Sequence, residues 1–248
     1  MSDVVLQVEG LTGPAEGPVV HDIELHVERG CTNVVLGQIH SGKTMVMRHL
    51  VGLERAEQGT LEVEGVRYDP RGEADDRLRE MRTRLGVVFE GSALMTRLGV
   101  VENVELPILE HTGASPREAR DAARELLADV GLRVDDDTMP QQLGRAGQRR
   151  VAVARALALR PALLLLDEST FGLDSHSAAE LDDTLARIQE REGFGTLVFS
   201  HEVRHAYGRA KEIFVMARGR IVARGSRAEL LDDPHEAVRR LLNRRTRR

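Results

Sequence analysis

Gly37, Gly42, Lys43 and Thr44 stand at the spacing G-x-x-x-x-G-K-[ST], with Gln38, Ile39, His40 and Ser41 between them and Met45 following. That spacing is a phosphate-binding loop. Glycine lets the backbone curl and approach a phosphate without a Cβ clash, and the loop's amide hydrogens converge with a helix N-terminus on the anion. Lys43 then offers an ammonium to terminal phosphates, and the Thr44 hydroxyl can ligate Mg²⁺. Two acids, Asp167 and Glu168, close the run Leu163-Leu164-Leu165-Leu166. Asp167 is placed to hold Mg²⁺, directly or through water, and Glu168 to polarise a water aimed at the terminal phosphate. His201 follows the run Thr196-Leu197-Val198-Phe199 and reads either as a contact to that phosphate or as a structural histidine, one of nine in the chain.

The elements that must position these groups are legible as periodicity. Val34-Val35-Leu36 predicts a buried strand ahead of the loop, and Met45, Met47, Leu50 and Leu53 a helix behind it. Val4, Leu6 and Val8, then Ile23, Leu25 and Val27, alternate with polar residues as half-buried strands, joined by a Gly- and Pro-rich stretch. Gly59 to Val66 predicts a strand-and-turn unit, Asp75 to Arg84 a charged helix, and Leu85 to Phe89 a short strand ending at Glu90. A helical region runs from about Leu98 to Leu159; within it Ser115-Pro116-Arg117-Glu118 is an N-terminal capping signal with Gly131 as the stop. Met139 to Gln148 breaks that region before a helix from Arg149 to Leu159. The continuous apolarity of Leu163 to Leu166 points to a strand covered on both faces, hence a parallel sheet flanked by helices. Leu181 to Arg191 predicts the next helix, Ile213 to Met216 and Ile221-Val222 the closing strands, and Arg227 and His235 the starts of final helices.

Composition removes several classes of function. The 248 residues are 41% hydrophobic and 30% charged, with 3% aromatics and no Trp, an ordinary globular balance without a platform for stacking bases. A formal net charge of −5 argues against nucleic acid as a partner. Cys31 is the only cysteine and the reading is a reducing compartment. Neither a signal peptide nor a membrane-spanning run is expected. The basic stretch Arg239 to Arg248 reads as a solvated helix end or as a contact to protein or anionic lipid.

Taken in order, the phosphate loop, Phe89-Glu90, LGRAGQRRVAVARALALRP, LLLLDES, Gly172-Leu173-Asp174 and Ser200-His201 resemble the ATP-binding subunit of ABC transporters across nearly the whole chain. The stretch VVFEGSALMTRLGVVENVELPI is similar, more narrowly, to the ATPase of Mla and Mce-type lipid transport systems. The resemblance implies an α/β fold: a P-loop NTPase (RecA-like) core with a mostly parallel sheet, an N-terminal antiparallel β region and a helical subdomain. It implies one ABC ATP-binding domain over 1–248, with 1–90 and 160–225 as core, 91–159 as helical subdomain and 226–248 as a helical tail. ATP and Mg²⁺ are the implied ligands, with Thr44, Glu90 and Asp167 on the metal and Lys43, Glu168 and His201 in catalysis. The implied partners are an integral membrane permease, a second ATP-binding subunit in a homo- or heterodimer, and a small regulatory subunit or lipid-binding Mce-type protein. The implied location is the cytoplasmic face of the inner membrane. Nucleotide would be sandwiched head to tail, facing the other subunit's signature loop, which in this chain is Leu143-Gly144-Arg145-Ala146-Gly147; Asp174 matches the D-loop aspartate that communicates across the dimer.

The departures bear on activity. The signature serine is Gly144, and a glycine whose bare backbone approaches phosphate is Arg145, which either pairs with phosphate or is a surface side chain at a helix start. Glu90 stands for the usual Gln, Met45 for a hydroxyl residue and Ser169 for a Pro, the Ile39-His40 pair is bulky, and Leu11 to Val20 holds no aromatic for adenine. Two readings follow: an energy-coupling ATPase driving lipid movement, or a nucleotide-gated scaffold that hydrolyses weakly or not at all. A soluble ABC protein acting on DNA or ribosomes is disfavoured by the short chain and acidic balance.

Overall fold

The structure, a computed structural model, describes residues 3–14, 20–72, 76–168, 170–202 and 208–242. Among the described residues, ten strands form two sheets. Strands β1 (Val4–Thr12), β2 (Ile23–Glu28), β4 (Gln58–Val63) and β5 (Val66–Tyr68) make an antiparallel sheet in the order β2-β1-β4-β5. Strands β3 (Thr32–Gly37), β6 (Leu85–Val88), β7 (Leu163–Asp167), β8 (Gly195–Ser200), β9 (Glu212–Ala217) and β10 (Arg220–Gly225) make the second, in the order β10-β9-β3-β8-β7-β6. Its neighbours are parallel except the closing pair β9 and β10.

Side-chain alternation along the parallel strands divides the interior into two cores. Leu163 and Leu165 of β7 join Val35, Leu197, Phe199 and Phe214 on one face, against the antiparallel sheet, helix α1 (Lys43–Leu50) and helix α2 (Asp76–Thr83). Leu164 and Leu166 join Val34, Leu36 and Val198 on the other, against α3 (Val100–His111), α4 (Pro116–Asp129), α5 (Arg145–Leu157) and α6 (Ser175–Glu192). The all-apolar run of β7 is thus the signature of a strand covered twice. Two short helices, α7 (Arg227–Leu231) and α8 (Glu236–Leu242), add Leu230, Val238 and Leu241 to the second core.

Most predicted elements appear in place, and two helices begin earlier than their apolar periodicity suggests. Helix α5 starts at Arg145 rather than Arg149, with Gly144 as an N-cap that has no side-chain acceptor. Helix α6 starts at Ser175 rather than Leu181, because the Asp174 carboxylate accepts from the amides of His176 and Ser177 and fixes the first turn. The capping box at Ser115 and Glu118 forms as the sequence predicts. Helices α3, α4 and α5 all fall between residues 91 and 159. Several expectations concern positions outside the described residues: Met1-Ser2, the start of the charged helix at Asp75, part of the Gly- and Pro-rich stretch (15–19), Ser169, and the end of the basic tail (243–248).

Candidate nucleotide site

Parallel register brings three strand ends to one edge. Leu36 of β3 pairs with Ser200 of β8, and Asp167 of β7 pairs with Phe199, so the phosphate loop, the Asp167-Glu168 pair and Ser200-His201 leave the sheet side by side. Ligands in such sheets sit beyond the C-terminal strand ends, and a pocket of about 400 Å³ lies there. Its wall is residues 39–45 with Glu90, Glu168, Phe171 and His201. A larger hollow of about 480 Å³ lies between α4 and the ends of α5 and α6. Arg191 there is tied to Asp129 and Glu192.

The loop is built around two glycines. A Cβ on Gly37 would stand 2.5 Å from Ser41 Oγ and 2.6 Å from the Met216 carbonyl, closer than atoms pack. Gly42 has φ 106, and His40 also turns left-handed at φ 64. Lys43 begins α1 and is only 7% exposed. Its Nζ donates to the carbonyls of Gly37 at 2.8 Å and Gln38 at 3.1 Å, which leaves the third of its hydrogens for an anion in the loop. Burial lowers the Lys43 pKa, opposed by the charges of Glu168 and Asp167.

Asp167 is 4% exposed, and its Oδ1 is buried without a hydrogen-bond partner. Desolvation, then the nearby charges of Glu168 and Glu90, push its pKa up to about 6 against the pull of Lys43 and a hydrogen bond with Thr44. An orphaned carboxylate oxygen beside an exposed threonine at a phosphate loop fits a small hard cation. Among the described residues no three His, Cys, Asp or Glu cluster as metal ligands, so Mg²⁺ here would complete its shell with phosphate oxygens and water.

Glu168 turns left-handed at φ 47 as the chain leaves β7. That turn carries its carboxylate toward β8, where Oε1 accepts from His201 Nδ1 at 2.8 Å and Oε2 from the Ser200 hydroxyl at 3.3 Å. Phe171 meets the His201 ring edge-on, centroids 5.6 Å apart, and is itself 49% exposed on the pocket wall. Sequence reasoning missed Phe171; its place between the acids and Asp174 gave no signal of a ring contact across the sheet edge.

The structure therefore brings together residues 37–45, Asp167, Glu168, His201 and Glu90. It does not bring the other candidates to this pocket. Asp174 spends its carboxylate capping α6, including the Ser177 hydroxyl at 2.6 Å. Gly144, Arg145 and Ala146 lie at the start of α5, where the exposed Arg145 packs on the turn at Gly172, its Nη1 2.8 Å from where a Cβ would stand. Arg149, which the sequence marked only as a helix start, is buried behind Glu90.

A phosphate loop on a parallel sheet, an orphaned acid beside its threonine and a glutamate–histidine pair define a nucleoside-triphosphate-binding P-loop protein. Residues 20–171 match the ABC transporter family. The chain is 34% identical to the L-cystine transport system ATP-binding protein TcyN of Escherichia coli, over 93% of this chain and 94% of that protein. It is 37% identical to the methionine import ATP-binding protein MetN 1 of Rhodococcus jostii over 89% of this chain, but spans only 64% of that longer relative. The dimeric, ADP- and phosphate-bound ATP-binding cassette MJ0796 superposes with TM-score 0.79 at 27% identity, over 89% of this chain and 98% of that one. The chain belongs to the ABC transporter family, as an ATP-binding subunit. The two sequence relatives are named for L-cystine transport and methionine import, and they lend no support to the narrower lipid expectation.

Proposed function

We propose that the chain binds and hydrolyses Mg-ATP in the pocket at residues 37–45 and couples this to transport of an amino acid through a membrane permease. The observation that carries the reading is the convergence of Lys43, Asp167 and the Glu168–His201 pair on the phosphate loop. Lys43 and the loop amides hold the terminal phosphates. Thr44 and Asp167, with Glu90, hold Mg²⁺, which when bound draws charge from those phosphates. Glu168, oriented by His201 Nδ1, takes the proton of an attacking water, and the His201 ring stands beside it on the pocket wall, with Nε2 3.8 Å from Glu202 Oε1. The cargo class follows the relatives named for methionine and L-cystine; a lipid is supported by the stretch 87–108 alone.

In this reading residues 1–90 and 160–225 are the nucleotide core, 91–159 the helical subdomain and 226–248 the tail. The protein works at the cytoplasmic face of the membrane, paired with a second ATP-binding subunit that meets the signature loop and Asp174. Among the described residues no helix is long and apolar enough to cross a membrane, and in this reading the permease is a partner. A weakly hydrolysing, nucleotide-gated subunit is the second reading, favoured by Arg145 and the uncapped Gly144. ATP turnover with the permease present separates them. Glu168→Gln should keep binding and cut turnover about 10²- to 10⁴-fold; absence of turnover in every assembly, with binding retained, selects the second.

A further inference from the structure

The segment 89–99 joins β6 to α3 and carries Glu90 on the pocket wall. Its backbone leaves the sheet at Val88, so its carbonyls need other donors. Two arginines of α5 supply them. Arg149 Nη1 donates to the Phe89 carbonyl at 2.7 Å and its Nη2 to the Glu90 carbonyl. Arg155 Nη2 donates to the Ser92 carbonyl at 3.0 Å and its Nη1 to the Ala93 carbonyl at 2.8 Å. Each guanidinium spans two successive carbonyls, a fork that an ammonium cannot reproduce.

The segment held this way is strained. Ser92 and Ala93 are both left-handed, at φ 62 and φ 47, a conformation non-glycine residues keep only where their surroundings impose it. The other half of the segment is held differently: Asn103 of α3 bonds both the amide of Met95, at 2.8 Å, and its carbonyl, at 3.0 Å. The first half is therefore fastened to α5 and the second to α3, with Leu94 between.

Arg149 is 4% exposed, and among the described residues neither arginine has a carboxylate in salt-bridge contact. A buried cation satisfied only by carbonyls costs desolvation that an apolar side chain would not. For Arg149 the balancing charges are Glu90 and Asp167, acting through space. Glu90 lines the pocket and Asp167 lies behind its wall against Lys43 and Thr44, so the buried charge answers to what occupies it.

We propose that Arg149 and Arg155 are positioning residues that make segment 89–93 and helix α5 move as one body, passing displacement of Glu90 on nucleotide arrival to the start of α5 at Gly144 and Arg145. The proposal rests on the reading of the pocket as a Mg-ATP site.

Hydrogen exchange of the full chain, with and without Mg²⁺ and a non-hydrolysable ATP analogue, tests it. In the wild type the nucleotide should slow exchange both in 89–99 and in 149–155. In Arg149→Lys/Arg155→Lys the change should stay in 89–99 and vanish from α5, while kcat falls about tenfold and KM moves less than about threefold. Arg155→Lys alone, at a partly buried position, gives the same comparison should the double variant fail to fold. Slowing of α5 in a folded variant to the wild-type extent overturns the proposal. No change anywhere in the wild type overturns the Mg-ATP reading first, and the proposal with it.

Discussion

Asp167→Asn separates the cost of the site from its use. An acid whose folded pKa is raised holds its proton more tightly folded than unfolded, so its contribution to stability is complete below the unfolded value and is lost as pH rises through the folded one. For Asp167 that window runs from 3.8 to about 6. The gap is worth about 3 kcal/mol, carried by the folded state as a buried charge at neutral pH. Asparagine removes the charge and still accepts the Thr44 hydrogen bond. Without nucleotide, urea denaturation should find Asp167→Asn more stable than wild type by about 2 to 3 kcal/mol at pH 7.5, and by about half that at pH 5. With Mg-ATP at a hundredfold excess over Kd the wild type should gain about 2.7 kcal/mol and the variant far less. A variant less stable than wild type at pH 7.5, or one stabilised equally by Mg-ATP, would refute the assignment of Asp167 as a strained metal ligand.

Other changes probe the supports of the site. Gly37→Ala drives a Cβ against Ser41 Oγ and the Met216 carbonyl, and should cost about 1–3 kcal/mol with loss of nucleotide affinity; unchanged melting and binding would contradict the close packing. Asn103→Ala frees the Met95 amide and the carbonyls of Met95, Leu98 and Gly99, for a loss of about 2–3 kcal/mol by denaturation; Asn103→Asp should cost more, since a carboxylate faces those carbonyls. Gly144→Ser with Arg145→Gly restores a capping hydroxyl and a bare backbone. Turnover in the assembled transporter should rise while stability moves less than about 1 kcal/mol, and a fall in turnover would give Arg145 a positive role.

What the sequence disclosed was what is local. The phosphate loop is contiguous, so its spacing carries its chemistry, and β7 announces its double burial through four consecutive leucines. The start of α5 was hidden because Gly144 offers no capping side chain, and that of α6 because Asp174 was weighed for its role across a dimer rather than as a cap. Arg149 and Arg155 could not be read at all: their acceptors are carbonyls, which every residue has, on a segment distant in sequence. The left-handed turn at Glu168 likewise has no residue-type signal, yet it aims the carboxylate at His201. Cargo is the least legible, because in the proposed reading the pocket binds what drives transport and not what is transported.

Titration calorimetry with Mg-ATP on the full chain tests the central claim most directly. Wild type should bind at one site with Kd between about 1 μM and 1 mM, and Lys43→Ala, which removes the ammonium from the loop, should weaken binding by at least about tenfold. Equal binding by the two, or no heat from the folded wild type at millimolar nucleotide, would contradict it.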